Sequence, residues 1–592
     1  MKHKTASVFK IVAFSILIAI LNSTLCSCFI TSNDSITDDN EITNEVEKMK
    51  ANEMIIQDNK SIYRYDVEDS IVTMYLTVRK GNSTENTDHT WDEVNSLSIF
   101  DYELLGVERF GVEAILKIGD ENGPLPGELG YGVTVPNAIV RVRGNTTSRN
   151  PQKSYKIELK KGKGTWREQR TIILNKHPFD QTRVMNKLYF DLLRGVPNMV
   201  SARTQFVHLY VKDETGPDAA TSVYKDYGLF TQIEQYNSRY LRNHGLDENG
   251  QLYKAEMFEF FRYEDAIKLK SDPGYSVKDF EKVLEIKGND NHTKLIAMLE
   301  ELNNYSIDIE EVFEKYFYIE NYFTWLAYNI LMGNLDTINR NFYLYSPTNS
   351  TKFYFIPWDS DGSFLRVRNE YLGIPNEYGH QIGISNYWGC VLHERVLSKQ
   401  KYRDMLSSKI EELKDYLTKE KISNLLNSYK AVIKKYLYSM PDILYYSVTE
   451  DQFDGLYEAI SNGVELNYQL YLESIKRPMP FFINKPIIEN GKIKYSWQVA
   501  FDFNGEDIKY DVEIARNLAM TDLIASFKGI EIPVVETEML PMGQYFVRVK
   551  AINESGEAQY AMDYYVSEYS RHYGIYAFYI QPDGTIETVH TT

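Results

Sequence analysis

Apolar and polar residues alternate with a period of two through the early part of the chain. "SIVTMYLTV" (70–78), "VEAILKIGD" (112–120) and "AIVRVRGN" (138–145) predict strands, as do "RTQFVHLYV" (203–211) and "YGLFTQIEQY" (227–236). The period changes to 3.6 in "DQTRVMNKLYFDLLRG" (180–195), where Val184, Leu188, Leu192 and Leu193 share a side and Gly195 is a stop. Two further helices are predicted over "DIEEVFEKYFYI", with Asp308 as N-cap, and "ENYFTWLAYNILMGN", ending at Gly333-Asn334. Residues 395–475 are largely helical, and no internal repeat is visible. Strands first and helices afterwards predict an α+β protein of two lobes.

The pattern changes again after the Pro-bounded junction "KRPMPFFINKP" (476–486). "KIKYSWQVAF", "IKYDVEIAR" and "GQYFVRVKAINESG" are strands at sandwich spacing. Trp497, Leu540, Pro541, Gly543, Tyr545, Val547, Val549, Ala551 and Asn553 make residues 481–592 resemble a fibronectin type III domain. That module is a spacer or adhesive unit and carries no chemistry by itself.

The first residues change the picture of location. "MKHKTASVFK" is basic, and "IVAFSILIAILN" is apolar but too short to span a bilayer permanently, as expected of a secretory signal. "TLCSCF" follows and resembles a bacterial lipobox, which implies a signal over 1–28 and a lipidated Cys28. Residues 29–60 are polar and acidic and read as a tether. Of the three cysteines, only Cys390 lies away from the processing site, so a mature chain would have no internal disulfide. The net charge of −18 argues against nucleic acid as a partner. Tyr is frequent, at 46 residues, which suits sugar or protein surfaces as well as half-buried strands.

Candidate chemistry begins at "VRVRGNTTSRNPQKSYKIELKKG" (140–162). Small residues between two strands leave backbone N–H groups available, and Arg143 adds charge, as a phosphate cradle requires. In the strand that follows, Tyr155, Ile157 and Leu159 share an apolar face, and Ser154, Lys156, Glu158 and Lys160 a solvent face. Lys153 falls on the apolar face by parity, where it either meets an anion or precedes the strand and reaches out to water. Asp336 and Asn341 have the Asp-x-x-x-x-Asn spacing of a kinase catalytic loop, and "KFYFIPWD" then delivers Asp359 at the end of a strand. The paired carboxylates Asp359 and Asp361 also admit glycoside hydrolysis, at a separation of about 7 Å along an extended segment.

"VRGNTTSRNPQKSYKIEL", "RTIILNKHPFDQTRVMNKLYFDLL", "TQIEQYN", "NILMGNLDTINRNFYLY" and "FIPWDSDGSF" together resemble the spore coat protein H (CotH) family of atypical kinases. The resemblance implies a diverged two-lobed kinase-like domain over 61–478. ATP and Mg²⁺ or Mn²⁺ would be its cofactors, and a protein Ser/Thr hydroxyl, on a surface or Ser-rich coat protein, its acceptor. Asp336 would be catalytic. Asn341, Asp359 and Asp361 would hold metal. Arg143, Gly144, Asn145 and Lys153 would lie at the phosphates, and Glu234 matches a family position on the nucleotide side. "GNLD" replaces the usual His-Arg-Asp, and "DSDG" replaces Asp-Phe-Gly, so Asp361 rivals Asp359. Gln152 stands where the family often has a first Lys. The alternative is a non-catalytic surface adhesin or coat-assembly scaffold, since ATP is scarce outside cells.

Overall fold

The computed structural model describes residues 56–375, 382–567 and 571–589. Cys28, the expected signal and most of the expected tether lie outside them. Residues 56–60, the last of that tether, are packed: Ile56 is buried, and Asp58 pairs with the buried His244 at 2.7 Å.

The early strands close on themselves. They are β1 (Ile71–Arg79), β2 (Gly111–Asp120), the two-residue β3 (Gly123–Pro124), β4 (Ala138–Arg143), β5 (Ser154–Leu159), β6 (Thr171–Asn175), β7 (Thr204–Asp213) and β8 (Lys225–Glu234). Their order is β1-β7-β8-β6-β5-β4-β2-β3, and β1 also pairs with β2, which makes a barrel. Only the β1–β7 pair is parallel among these neighbours. Alternation explains the interior. Met74, Leu76, Val140, Val142, Tyr155, Ile157, Leu159, Leu174 and Leu209 point inward and fill it, capped by Trp91. The other face of β5 carries Ser154, Lys156 and Glu158 outward.

A second, four-stranded antiparallel sheet follows, in the order β10-β9-β11-β12: β9 is Gln251–Ala255, β10 Leu284–Ile286, β11 Phe342–Ser346 and β12 Tyr354–Pro357. Every residue of β11 and β12 is buried. Helix α1 (Met185–Leu193) packs on β7; α2 (Ile309–Tyr316) leads into α3 (Ile319–Leu331), which packs on β12 and on α4 (Gln400–Tyr416). α2 is capped by Asp308, whose carboxylate accepts from Glu310 N at 2.9 Å, as the sequence predicts. α1 is buried on all sides rather than along one stripe. It lies between barrel and helices, so both its faces need partners.

The final region is all β. Strands Ile487–Glu489, Lys492–Ser496 and Val534–Glu538 form one sheet, and a larger one is built around Lys509–Ala515 and Gly543–Ile552. Trp497, Tyr510, Val512, Tyr545, Val547, Val549 and Phe578 share their core. Tyr545 donates its hydroxyl to Pro541 O at 2.8 Å, the bond of a tyrosine corner, consistent with a fibronectin III-like module. The expected order of strand-rich, helical and all-β regions is thus borne out.

One buried ion pair pins barrel to helices. Lys176, just after β6, donates to Asp442 Oδ1 at 2.6 Å and to the carbonyls of Tyr227 and Leu229, both at 2.8 Å. Asp442 also accepts from Leu229 N at 2.7 Å. Burial pulls the Lys176 ammonium down to about 8, against the attraction of Asp442. Removing one partner strands a buried charge. Asp442→Ala should therefore cost about 3–5 kcal/mol in urea unfolding, and the double variant Lys176→Met, Asp442→Leu should cost less than that single change.

Candidate functional site

Between the outer face of β4–β6 and the second sheet lies a cleft of about 670 Å³. The barrel side contributes Arg143, Gly144, Asn145, Thr146 and Thr147 from the loop after β4, and Ser154, Lys156 and Glu158 from β5. The facing wall contributes Lys254, Glu256, Glu285, Lys287 and Tyr343. Asp336, Asn341, Asp359 and Asp361 share the cleft with them, and Gln235, Tyr236 and Asn237 line it from the linker after β8.

The hairpin of β11 and β12 explains how two of these groups meet. Phe342 is paired with Pro357, so Asn341 and Trp358 stand opposite one another, and Trp358 N donates to Asn341 O at 3.0 Å. Asp359 is next in the chain. Asn341 and Asp359 both adopt left-handed backbone, with φ of +60° and +48°. That is common for Asn and costs Asp about 1–3 kcal/mol, a cost that clusters at functional sites. Gly144 is also left-handed, at φ +88°, and a Cβ there would sit 2.0 Å from Thr147 Oγ1. The tight loop therefore demands glycine.

Asp336 follows α3 through Gly333 and is accessible to water, with 57% of its side chain exposed, yet recessed between the cleft walls. Desolvation by those walls, with the charges of Asp361 and Asp359, pushes its carboxyl up to about 6. Arg340, 4.0 Å away, and Asn341 oppose the shift. Asn341 Nδ2 donates to Asp336 Oδ2 at 2.8 Å and to its carbonyl at 3.0 Å. Burial and the neighbouring Asp359 likewise raise the Asp361 carboxyl, against His177 at 3.6 Å. Arg143 donates to Asn175 Oδ1, and burial lowers its pKa while Asp359 raises it.

Two expected residues are elsewhere. Lys153 does not line the cleft; its Nζ donates to Ser148 O at 2.6 Å. Parity places it on the side of Tyr155 and Ile157, and that side is the barrel interior, so it ends before the core and folds back on the loop. The lysine that β5 gives the cleft is Lys156, on the face read from sequence as an ordinary solvent face; it sits 3.0 Å from Glu158. Glu234 is also outside the cleft. It accepts from Arg203 Nε at 3.0 Å, with His244 Nε2 at 3.1 Å, and His244 reaches Asp58 on its other side. Sequence reasoning also missed Asn186, a polar residue inside an apolar helix, and His177, whose signal was its place beside the helix.

The carboxylates of Asp336, Asp359 and Asp361 line one cleft and feel one another's charge. Among the described residues, no three His, Cys, Asp or Glu side chains form a cluster able to hold a metal ion by themselves.

Residues 140–471, more than half of the chain, match the family model described as CotH kinase protein. The chain belongs to that family. It is 21% identical over 295 residues to inner spore coat protein H of Bacillus subtilis (strain 168), covering 50% of this chain and 76% of the relative. Among solved structures, it is similar to the proinflammatory kinase CtkA of Helicobacter pylori, at 11% identity and a TM-score of 0.23, over 54% of this chain and 94% of that one. It is also similar to the twitchin kinase region of C. elegans, at 19% identity and a TM-score of 0.13, over 19% of this chain and 20% of that one. Likenesses at these scores do not bear on the fold; the family match and the paired lobes around one cleft do.

The Glu234 cluster has a pH signature. Burial opposes its charged form, but His244 and Arg203 outweigh burial and hold the carboxyl at about 2, below its ordinary 4.5. This stabilisation is present above pH 4.5 and is lost as pH falls towards 2. His244 has its pKa raised above 6.5 by Glu234 and Asp58 despite burial. Its contribution is full below pH 6.5 and disappears as pH rises through the folded value. Glu234→Gln should flatten the loss of thermal stability between pH 4.5 and 3 in calorimetric scans; an unchanged slope would exclude this role.

Proposed function

We propose that this CotH-family chain is an ATP- and Mg²⁺-dependent protein Ser/Thr kinase. The observation that carries the reading is the convergence of Asp336, Asn341, Asp359 and Asp361 on one cleft with the Arg143–Thr147 loop. The γ-phosphoryl P–O bond to ADP breaks as a bond forms from phosphorus to the acceptor hydroxyl oxygen. Asp336 orients that hydroxyl and takes its proton. A divalent cation, Mg²⁺ or Mn²⁺, held by Asp359, Asp361 and the carboxamide oxygen of Asn341, would offset phosphate charge. Backbone N–H groups of Gly144 and Asn145 cradle phosphate oxygens, and Arg143 and Lys156 supply positive charge. Rate enhancement is then positioning plus charge compensation.

The acceptor is a surface or coat protein, in keeping with the spore coat relative. The kinase unit spans 61–478, and 481–592 is a fibronectin III-like spacer. Residues 1–28 direct export, lipid on Cys28 anchors the chain at the outer face of the cytoplasmic membrane or the spore surface, and the tether that begins at 29 ends before the packed residues 56–60. No helix among the described residues is long and apolar enough to cross a membrane.

Asp359→Ala should abolish radiolabel transfer from ATP to a Ser-rich acceptor while the circular dichroism spectrum is kept; persisting transfer removes Asp359 from the metal site. Lys156→Ala should lower kcat/KM at least tenfold, about 1.4 kcal/mol, whereas Lys153→Ala leaves it near wild type. Equal losses in steady-state assays would overturn this choice of lysine.

A further inference from the structure

Asn186 lies in the first turn of the wholly buried helix α1 and is itself fully buried. A carboxamide there must find partners for both ends. Its Oδ1 accepts from Ser360 N at 2.7 Å. Its Nδ2 donates to Asp359 Oδ1 at 3.2 Å and lies 3.4 Å from His177 Nδ1. One side chain therefore grips two successive residues of the segment that leaves β12, at the point where Asp359 turns left-handed.

This grip has a chemical consequence. Asp359 lines the cleft, and its Oδ1 is engaged from behind by a neutral donor. Oδ2 is then the oxygen offered to the cleft. A Leu at 186 would leave the amide of the fully buried Ser360 without its partner. An Asp would keep that bond but set carboxylate against carboxylate. Asn alone among these three satisfies the backbone and orients Asp359 without adding charge.

We infer that Asn186 is a positioning residue that aims Asp359 at a divalent cation bound with the nucleotide. This inference rests on the kinase reading of the cleft. Groups of this kind, which hold a ligand rather than the metal, typically change metal affinity 10–100-fold when altered.

The test uses the full chain and its Asn186→Asp variant, titrated with Mn²⁺ in the presence of a non-hydrolysable ATP analogue. Free Mn²⁺ is followed by electron paramagnetic resonance. Thermal unfolding without metal is recorded alongside. The metal-free melting temperature should fall, and at a temperature where the variant is still folded the Mn²⁺ dissociation constant should rise about 10–100-fold. Phosphate transfer should recover as Mg²⁺ is raised, a KM-type loss in metal that a purely structural residue would not produce. An unchanged or tighter Mn²⁺ constant overturns the inference, as does weaker binding fully accounted for by unfolding. Should Asn186→Asp not fold, Asn186→Ala carries the same test. Asp359→Asn separates the two levels. If it weakens Mn²⁺ binding and Asn186→Asp does not, the role of Asn186 alone fails. If Asp359→Asn leaves Mn²⁺ binding intact, the metal reading fails and the inference falls with it.

Discussion

Like charges repel, and the cleft is built by holding three carboxylates near one another against that repulsion. Desolvation and mutual charge raise the Asp336 and Asp361 carboxyls. Such an arrangement survives only where the backbone is over-determined. Here the restraint is a hairpin buried along its whole length, a helix buried on all sides and a glycine turn at Gly333, whose added Cβ would meet the Asn467 amide at 2.5 Å. The polar site is precise because its apolar mounts cannot shift independently.

Opposing charge is supplied sparingly and from a different wall. Arg143 is tied to Asn175, Arg340 stays at the mouth, and Lys156 stands beside Glu158. Across from them, Lys254 and Lys287 are each balanced by a Glu on the second sheet, so that wall is close to neutral. The carboxylates of Asp336, Asp359 and Asp361 thus stand on one side of the cleft and the Arg143 guanidinium on the other.

Much of this was legible in the sequence, for a definite reason. Asp336, Asn341 and Asp359 stand at the ends of apolar segments, and local spacing suffices to place them at element ends. The loop at Gly144 was legible because only glycine fits that turn. The roles of Lys153 and Lys156 were not legible because period two separates the faces of a strand without saying which one lines a cleft. In a closed barrel the apolar face is the interior, so the cleft had to lie on the polar face. Glu234 was misplaced because its partners, Arg203, His244 and Asp58, come from three separate segments. The facing wall at Lys254 and Glu285 has the same origin: it is assembled by a second sheet whose strands are not adjacent in the chain.

The barrel is closed by strands that lie before the family match. β1 sits between β2 and β7, and the match to the family begins at residue 140, inside β4. A fragment starting there would lose three strands and leave β7 and β4 as two bare edges. Open edges invite pairing with other chains. β4 is also the strand that delivers Arg143 and Gly144, so its loss of a neighbour would loosen that wall of the cleft. The segment that the family match recognises is thus shorter than the unit that closes the barrel, which reaches back to β1.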